Sequence, residues 1–153
     1  MTHAATLSER RTLDPLRAAA ALVALIGLGI ATYLTIVHYA GGTPVCAIAH
    51  GCATVQKSSY AEFAGVPVAV LGLLGYVGIL AALVKDTEAT RTAAAFLAIA
   101  GLAFSGWLTY LELFEINAIC IWCVGSAICM ALLTGLSIAR LLRAAPPELA
   151  RAR

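Results

Sequence analysis

Four stretches of this chain run for about 20 residues without an Asp, Glu, Lys or Arg: Ala18–Val37, Val66–Val84, Thr92–Leu111 and Ile116–Ala139. At about 1.5 Å of rise per residue, a helix of that length crosses the roughly 30 Å hydrocarbon core of a bilayer. A helix also satisfies its own backbone polar groups, which lipid demands. One soluble core could not absorb four such segments in 153 residues. Charged residues make up only 12%, about half the share of an average soluble domain. The predicted class is therefore all-α: an integral membrane bundle of four transmembrane helices, with a long extracytoplasmic loop between the first and second.

The basic residues orient the bundle. Arg10, Arg11 and Arg17 precede the first span, Lys85 and Arg91 flank the second connection, and Arg140, Arg143, Arg151 and Arg153 follow the fourth. With four spans these all fall on one face and only Lys57 on the other, a strong positive-inside bias. The expectation is a multi-pass protein of the cytoplasmic membrane, both termini cytoplasmic and the loop outside. A cleaved signal peptide is the rival reading of the N-terminus, but the apolar run is long for one and no small-residue cleavage site closes it.

One domain is expected over 1–153. It comprises a cytoplasmic arm (1–15), spans at 16–39, 66–84, 91–114 and 116–142, an outer loop (40–65) and a cytoplasmic tail (143–153). Pro15 suits a helix start, Gly41-Gly42 a helix end, Asp86 or Thr90 a cap for the third helix, and Val55–Phe63 a short interfacial helix. Gly72, Gly75, Gly78, Gly101, Ser105 and Gly106 are small residues of the kind that let membrane helices approach closely.

The cysteines carry the chemistry. Cys120-Ile-Trp-Cys123 heads the fourth apolar stretch, and Cys46 and Cys52 lie in the one long polar segment. Two such pairs point to relayed dithiol–disulfide exchange. Only a thiolate attacks a disulfide, so a redox cysteine needs surroundings that favour its charge. Asn117 is a plausible N-cap, which would place Cys120 in the first turn at the positive end of the helix dipole. Cys123 then lies one turn deeper, so Cys120 would meet the aqueous relay and Cys123 a lipid-soluble acceptor. Static structural disulfides in a non-catalytic membrane scaffold are an alternative, as is a zinc site using His50 with the loop cysteines. Cys129 reads as a small apolar core residue. No metal and no nucleic-acid partner is expected.

The run Gly51-Cys52-Ala53-Thr54-Val55-Gln56-Lys57-Ser58, then Gly65-Val66-Pro67-Val68 and Leu71–Tyr76, resembles the vitamin K epoxide reductase family. So does Gly106-Trp107-Leu108-Thr109-Tyr110-Leu111-Glu112 leading into Cys120-Ile-Trp-Cys123. The resemblance covers roughly residues 16–142. Its most specific parts are the four cysteines in order and the serine six positions after the second of them. It implies a four-helix bundle around a quinone, closed by the outer loop. Cys123 would pass electrons to the quinone with Cys120 as its disulfide partner. Cys52 would attack the Cys120–Cys123 disulfide, Cys46 would exchange with an external thiol protein, and Ser58 would orient loop or quinone.

Two departures bear on substrate. Where animal members carry a tyrosine and an asparagine that help hold vitamin K, this chain has Ala127 and approximately Val68, favouring plain quinone reduction over epoxide reduction. Without a fused thioredoxin-like segment in these residues, the expected partner is a separate DsbA-like thioredoxin-fold protein. Such proteins sit near −120 mV, so re-oxidising them needs a strong sink such as membrane menaquinone or ubiquinone. A DsbB-like arrangement would place Cys-x-x-Cys in the first outer loop, which the order here opposes. Trp107, Leu108, Leu111 and Trp122 are candidates to flank the quinone ring, against the alternative of an interfacial aromatic belt. Glu112 reads as a snorkelling surface carboxylate or a proton shuttle for quinol.

Overall fold

The computed structural model describes residues 14–46 and 51–144. Residues 1–13 of the expected cytoplasmic arm, the tail beyond residue 144 and His50 lie outside the described residues. Four long helices dominate: α1 (Pro15–Tyr39), α3 (Val68–Val84), α4 (Glu88–Leu111) and α5 (Ile121–Ala144). A short α2 (Cys52–Gln56) and a 3₁₀ turn (Ser59–Ala61) lead into the two-residue strands β1 (Glu62–Phe63) and β2 (Val66–Pro67). Helix α1 packs on α3 and α5, and α4 on α3 and α5, closing a ring.

Three helical segments are long and apolar enough to cross a membrane: Pro15–Tyr39, Glu88–Ile116 and Ile121–Ala144. The fourth, Val68–Val84, is equally apolar but has 17 residues, about 25 Å at 1.5 Å per residue. It starts two residues later than the uncharged stretch because Val66-Pro67 extends into β2 and pairs antiparallel with Glu62-Phe63. Ala64 and Gly65 form the hairpin tip with positive φ at both positions, the geometry that matches strand twist in a two-residue loop. The expected interfacial helix over Val55–Phe63 is thus replaced by α2, a 3₁₀ turn and the hairpin.

Helix ends follow local chemistry. Asp14 accepts the Leu16 N–H at 3.2 Å, with Pro15 opening α1 where a missing N–H costs nothing. At the other end Gly41 takes φ +64°, and the Gly41 and Gly42 N–H groups donate to His38 and Val37 carbonyls at 3.1 Å, a Schellman termination. Thr87 caps α4 in a reciprocal box with Thr90. Asp86 does not cap. It binds Arg91 Nε and a terminal nitrogen at 2.7 and 2.8 Å, and an Arg140 nitrogen at 3.0 Å.

Interior positions of the bundle are mostly small or medium: Ala20, Ala24, Ala31 and Ala98, with Tyr76, Ile79, Met130 and Leu133. Larger apolar side chains such as Leu22, Ile26, Leu74, Phe96 and Leu132 face outward. That distribution suits lipid as solvent, where close backbone approach rather than apolar burial drives association. A Cβ on Gly27 would fall inside the Tyr76 ring, and the Tyr76 hydroxyl bonds the Ser126 hydroxyl at 2.8 Å. At the Arg140 end, Arg17 donates to the Leu83 and Val84 carbonyls at 2.8 and 2.7 Å. The cysteine pairs lie at the opposite end.

Candidate functional site

The site is built where α4 turns back into α5. Glu112–Ile116 continues α4 as a single π turn, and the chain then breaks at Asn117, whose φ of +52° is left-handed. Asn tolerates that conformation as few residues do. The Asn117 and Ala118 N–H groups both donate to the Glu112 carbonyl. Asn117 therefore ends the preceding helix instead of starting α5, correcting the expected N-cap. Cys120 takes that place: its carbonyl accepts the Val124 N–H at 3.0 Å, and α5 begins at Ile121. Cys123 still lies one turn inward.

Glu112 supplies what Asn117 does not. Its side chain returns under the turn, and Oε2 accepts the Cys120 N–H at 3.0 Å. The residue is 4% exposed, so it is no snorkelling surface carboxylate. A Glu near an apolar span end gives the same sequence signal in either case; only the π turn and the left-handed Asn117 direct it inward.

The loop delivers the other pair. Cys46 and Cys52 are joined in a disulfide, while Cys120, Cys123 and Cys129 are free. Cys52, at the start of α2, is 1% exposed and Cys120 is fully buried. Both belong to one small apolar cluster with Val55, against which Cys46, Cys123, Trp122 and Ile116 pack. Cys129 belongs instead to the main bundle core. Gly51 makes the approach possible, since a Cβ there would lie 2.6 Å from the backbone N and O of Ile119. Trp122 ties down the other side of the loop: its indole N–H donates to the Val45 carbonyl at 2.9 Å and its ring packs 4.8 Å from Tyr33. The Cys123 side chain, with the amide N–H groups of Cys123 and Trp122, holds the Cys120 thiol below its ordinary value, against burial and the nearby Glu112.

Beneath this cluster a cavity of about 90 Å³ opens between the helices and the loop. Leu34, Val55, Val68, Leu108 and Leu111 wall it, and Ser58, Glu112 and Cys123 face it. Ser58 donates to the Val55 carbonyl at 2.7 Å, closing the end of α2. Trp107 is 57% exposed and stacks on Tyr110 at 6.1 Å on the outer surface of α4, in keeping with an interfacial belt. Trp122 is engaged with the loop, and neither tryptophan nor Ala127 is among the residues lining the cavity. His38 does line it and pairs with Glu62 at 3.5 Å, linking α1 to the hairpin.

Apolar walls with a few convergent polar groups and a thiol give this chamber the character of a small-molecule site. Comparison with known families agrees with the membrane helices and the cysteine pairs. Residues 18–138 match the sequence model of the vitamin K epoxide reductase family, a span holding all four site cysteines and well over half the chain. Members of that family are in general oxidoreductases of membrane disulfide and quinone chemistry. This chain belongs to the vitamin K epoxide reductase family.

Proposed function

We propose that the protein is a quinone-dependent thiol oxidase of the cytoplasmic membrane. It takes electrons from an extracytoplasmic DsbA-like protein through Cys46–Cys52 and then Cys120–Cys123. All four long helices span the bilayer in this reading, α3 with its short length compensated by the hairpin at its outer end. The positive-inside bias puts the Asp86–Arg140 end in the cytoplasm and the cysteine cluster outside. The observation that carries the reading is the burial of Cys52 and Cys120 in one cluster, directly above a cavity on which Cys123 opens.

The chemistry follows from exposure and position. A partner thiolate attacks Cys46, the more accessible loop sulfur, and the partner's second thiol completes its own disulfide, leaving Cys46 and Cys52 reduced. The Cys52 thiolate attacks Cys120 of the Cys120–Cys123 disulfide, releasing Cys123, which takes up the proton that Cys52 gave up. A lowered Cys120 pKa makes it a good leaving group when Cys46 then attacks Cys52 and restores the loop disulfide. The two electrons now reside on the Cys120 and Cys123 thiols. Quinone, the electron-accepting substrate, would lie against Val68, Leu108 and Leu111 with Cys123 at its edge; re-forming the Cys120–Cys123 disulfide yields one quinol. Ser58 holds the loop over the cavity.

Replacing Cys46 by Ala removes the sulfur that resolves the Cys52–Cys120 linkage. In C46A, mass spectrometry of peptides from alkylated membranes should find Cys52 bonded to Cys120 as a stable species. A C46A protein in which Cys52 stays a free thiol, with Cys120–Cys123 intact, would exclude exchange between the pairs.

A further inference from the structure

We propose that Glu112 is a proton-handling residue of the quinone-reducing step, taking the Cys123 thiol proton and delivering it to a quinone oxygen; this rests on the thiol-oxidase reading above. The carboxylate is buried, lines the cavity beside Cys123 and is pinned in place through the Cys120 N–H at 3.0 Å. Cys123 lines the same cavity as this carboxylate. No Lys or Arg is among the described residues that line the cavity, and the histidine there, His38, pairs with Glu62. A lone buried carboxylate without a cationic partner is costly, and capping one N–H does not require a charge, since a neutral amide oxygen would accept that bond as well.

The step balances with Glu112 as carrier. Two thiols and one quinone become one disulfide and one quinol, so two electrons and two protons leave the cysteines. Cys123 loses its proton to Glu112 as its sulfur becomes the electron donor. Cys120 loses the other to the aqueous side as it closes the disulfide on Cys123. Glu112 passes its proton to one quinone oxygen, and water at the outer end supplies the second. Lining one cavity with Cys123, the carboxylate is placed to serve both the sulfur and an acceptor bound there, as general acid–base catalysis requires.

The test compares Glu112→Gln with Glu112→Asp in purified full-length protein. Gln keeps the acceptor for the Cys120 N–H and cannot carry a proton; Asp keeps the carboxyl. With a soluble short-chain quinone, E112Q should slow single-turnover quinol formation at least tenfold, and about 100-fold if general catalysis has its usual size, while E112D recovers part of the loss. An independent readout is the infrared difference spectrum between dithiol and disulfide forms without quinone. Wild type should show a carboxyl C=O band that shifts in D₂O, and E112Q should lack it. A loss under tenfold, equal loss in E112Q and E112D, or an unchanged carboxyl band in E112Q would overturn the proposal. Wild-type protein that forms no quinol would instead defeat the oxidase reading on which it rests.

Discussion

Gly51→Ala is the sharpest probe of how the loop is docked. A Cβ at position 51 would sit 2.6 Å from both the amide nitrogen and the carbonyl oxygen of Ile119, and 3.1 Å from the Ala118 carbonyl carbon. These are backbone atoms in a turn held by two bonds to the Glu112 carbonyl, so no side-chain rotation relieves the clash. Ordinary contact begins near 3.4 Å, so the loop or the turn must retreat by most of an ångström. Overpacking of this kind costs about 1–3 kcal/mol. At 1.4 kcal/mol per tenfold, that lowers the population of the docked loop by about 5- to 140-fold. The assay is the yield of Cys52–Cys120 linkage in the C46A background at fixed times after adding a partner dithiol. G51A should reduce the initial rate of linkage by that factor, with the thermal midpoint of the bundle in detergent little changed because Gly51 lies outside the main core. Gly29→Ala, where a Cβ meets nothing within 4 Å, serves as the control. Linkage in G51A within twofold of the parent would refute the docking geometry.

Two further outcomes follow from the ends of the bundle. The guanidinium of Arg91, aided by the charges of Arg140 and Arg17, holds the Asp86 carboxyl down to about 2 from 3.8. Its contribution to stability is therefore fully present above pH 4 and lost as pH falls toward 2. Because a third of the side chain meets solvent, the effect is small and screened by salt. Thermal unfolding in detergent should show wild type converging on Asp86→Asn across that window, and parallel curves would contradict it. At the other end, Trp122→Phe removes the indole bond to Val45, worth about 1 kcal/mol. Reduction of Cys46–Cys52 by a small dithiol, read by thiol-labelling gel shift, should then speed up about fivefold; an unchanged rate would show that Trp122 does not restrain the loop.

Much of this architecture is legible in residue order because lipid imposes simple demands. Uncharged runs of spanning length locate the helices, and Pro15, Gly41 and the basic residues mark ends with known local preferences. The cysteine pairs are visible for the same reason, since few other pressures place four sulfurs at one end of a bundle. What escapes notice is the form of the reversal between α4 and α5. It is made of Ile116, Asn117, Ala118 and Ile119, so a single polar residue in an apolar run marks it. Asn is favoured both at helix N-caps and in the left-handed conformation that ends helices, and spacing alone does not choose between them. That one conformation decides whether Cys120 lies inside a helix or just before it, and whether Glu112 faces lipid headgroups or the Cys120 amide.

The cavity wall shows a related limit. Leu108, Leu111 and Val68 line it, whereas Trp107 turns to the outer surface and Trp122 to the loop. Three of the four residues flagged near the outer ends, Trp107, Leu108 and Leu111, lie within five positions of one helix. At about 100° per residue Leu111 lies about 40° from Trp107 and about 60° from Leu108, so the three share one broad face and spacing alone does not say which of them reach the cavity. The hairpin at Ala64–Gly65 was hidden for another reason: two-residue strands are too short for alternation to register.

Quinol formation by the purified protein bears most directly on the relay. With a reduced thioredoxin-fold dithiol protein and a soluble quinone, the account predicts one quinol for each partner disulfide formed, and no quinol when either Cys52 or Cys120 is replaced by Ala. Steady quinol production in the C52A or C120A protein, or none in a folded wild-type sample across several quinones, would contradict it.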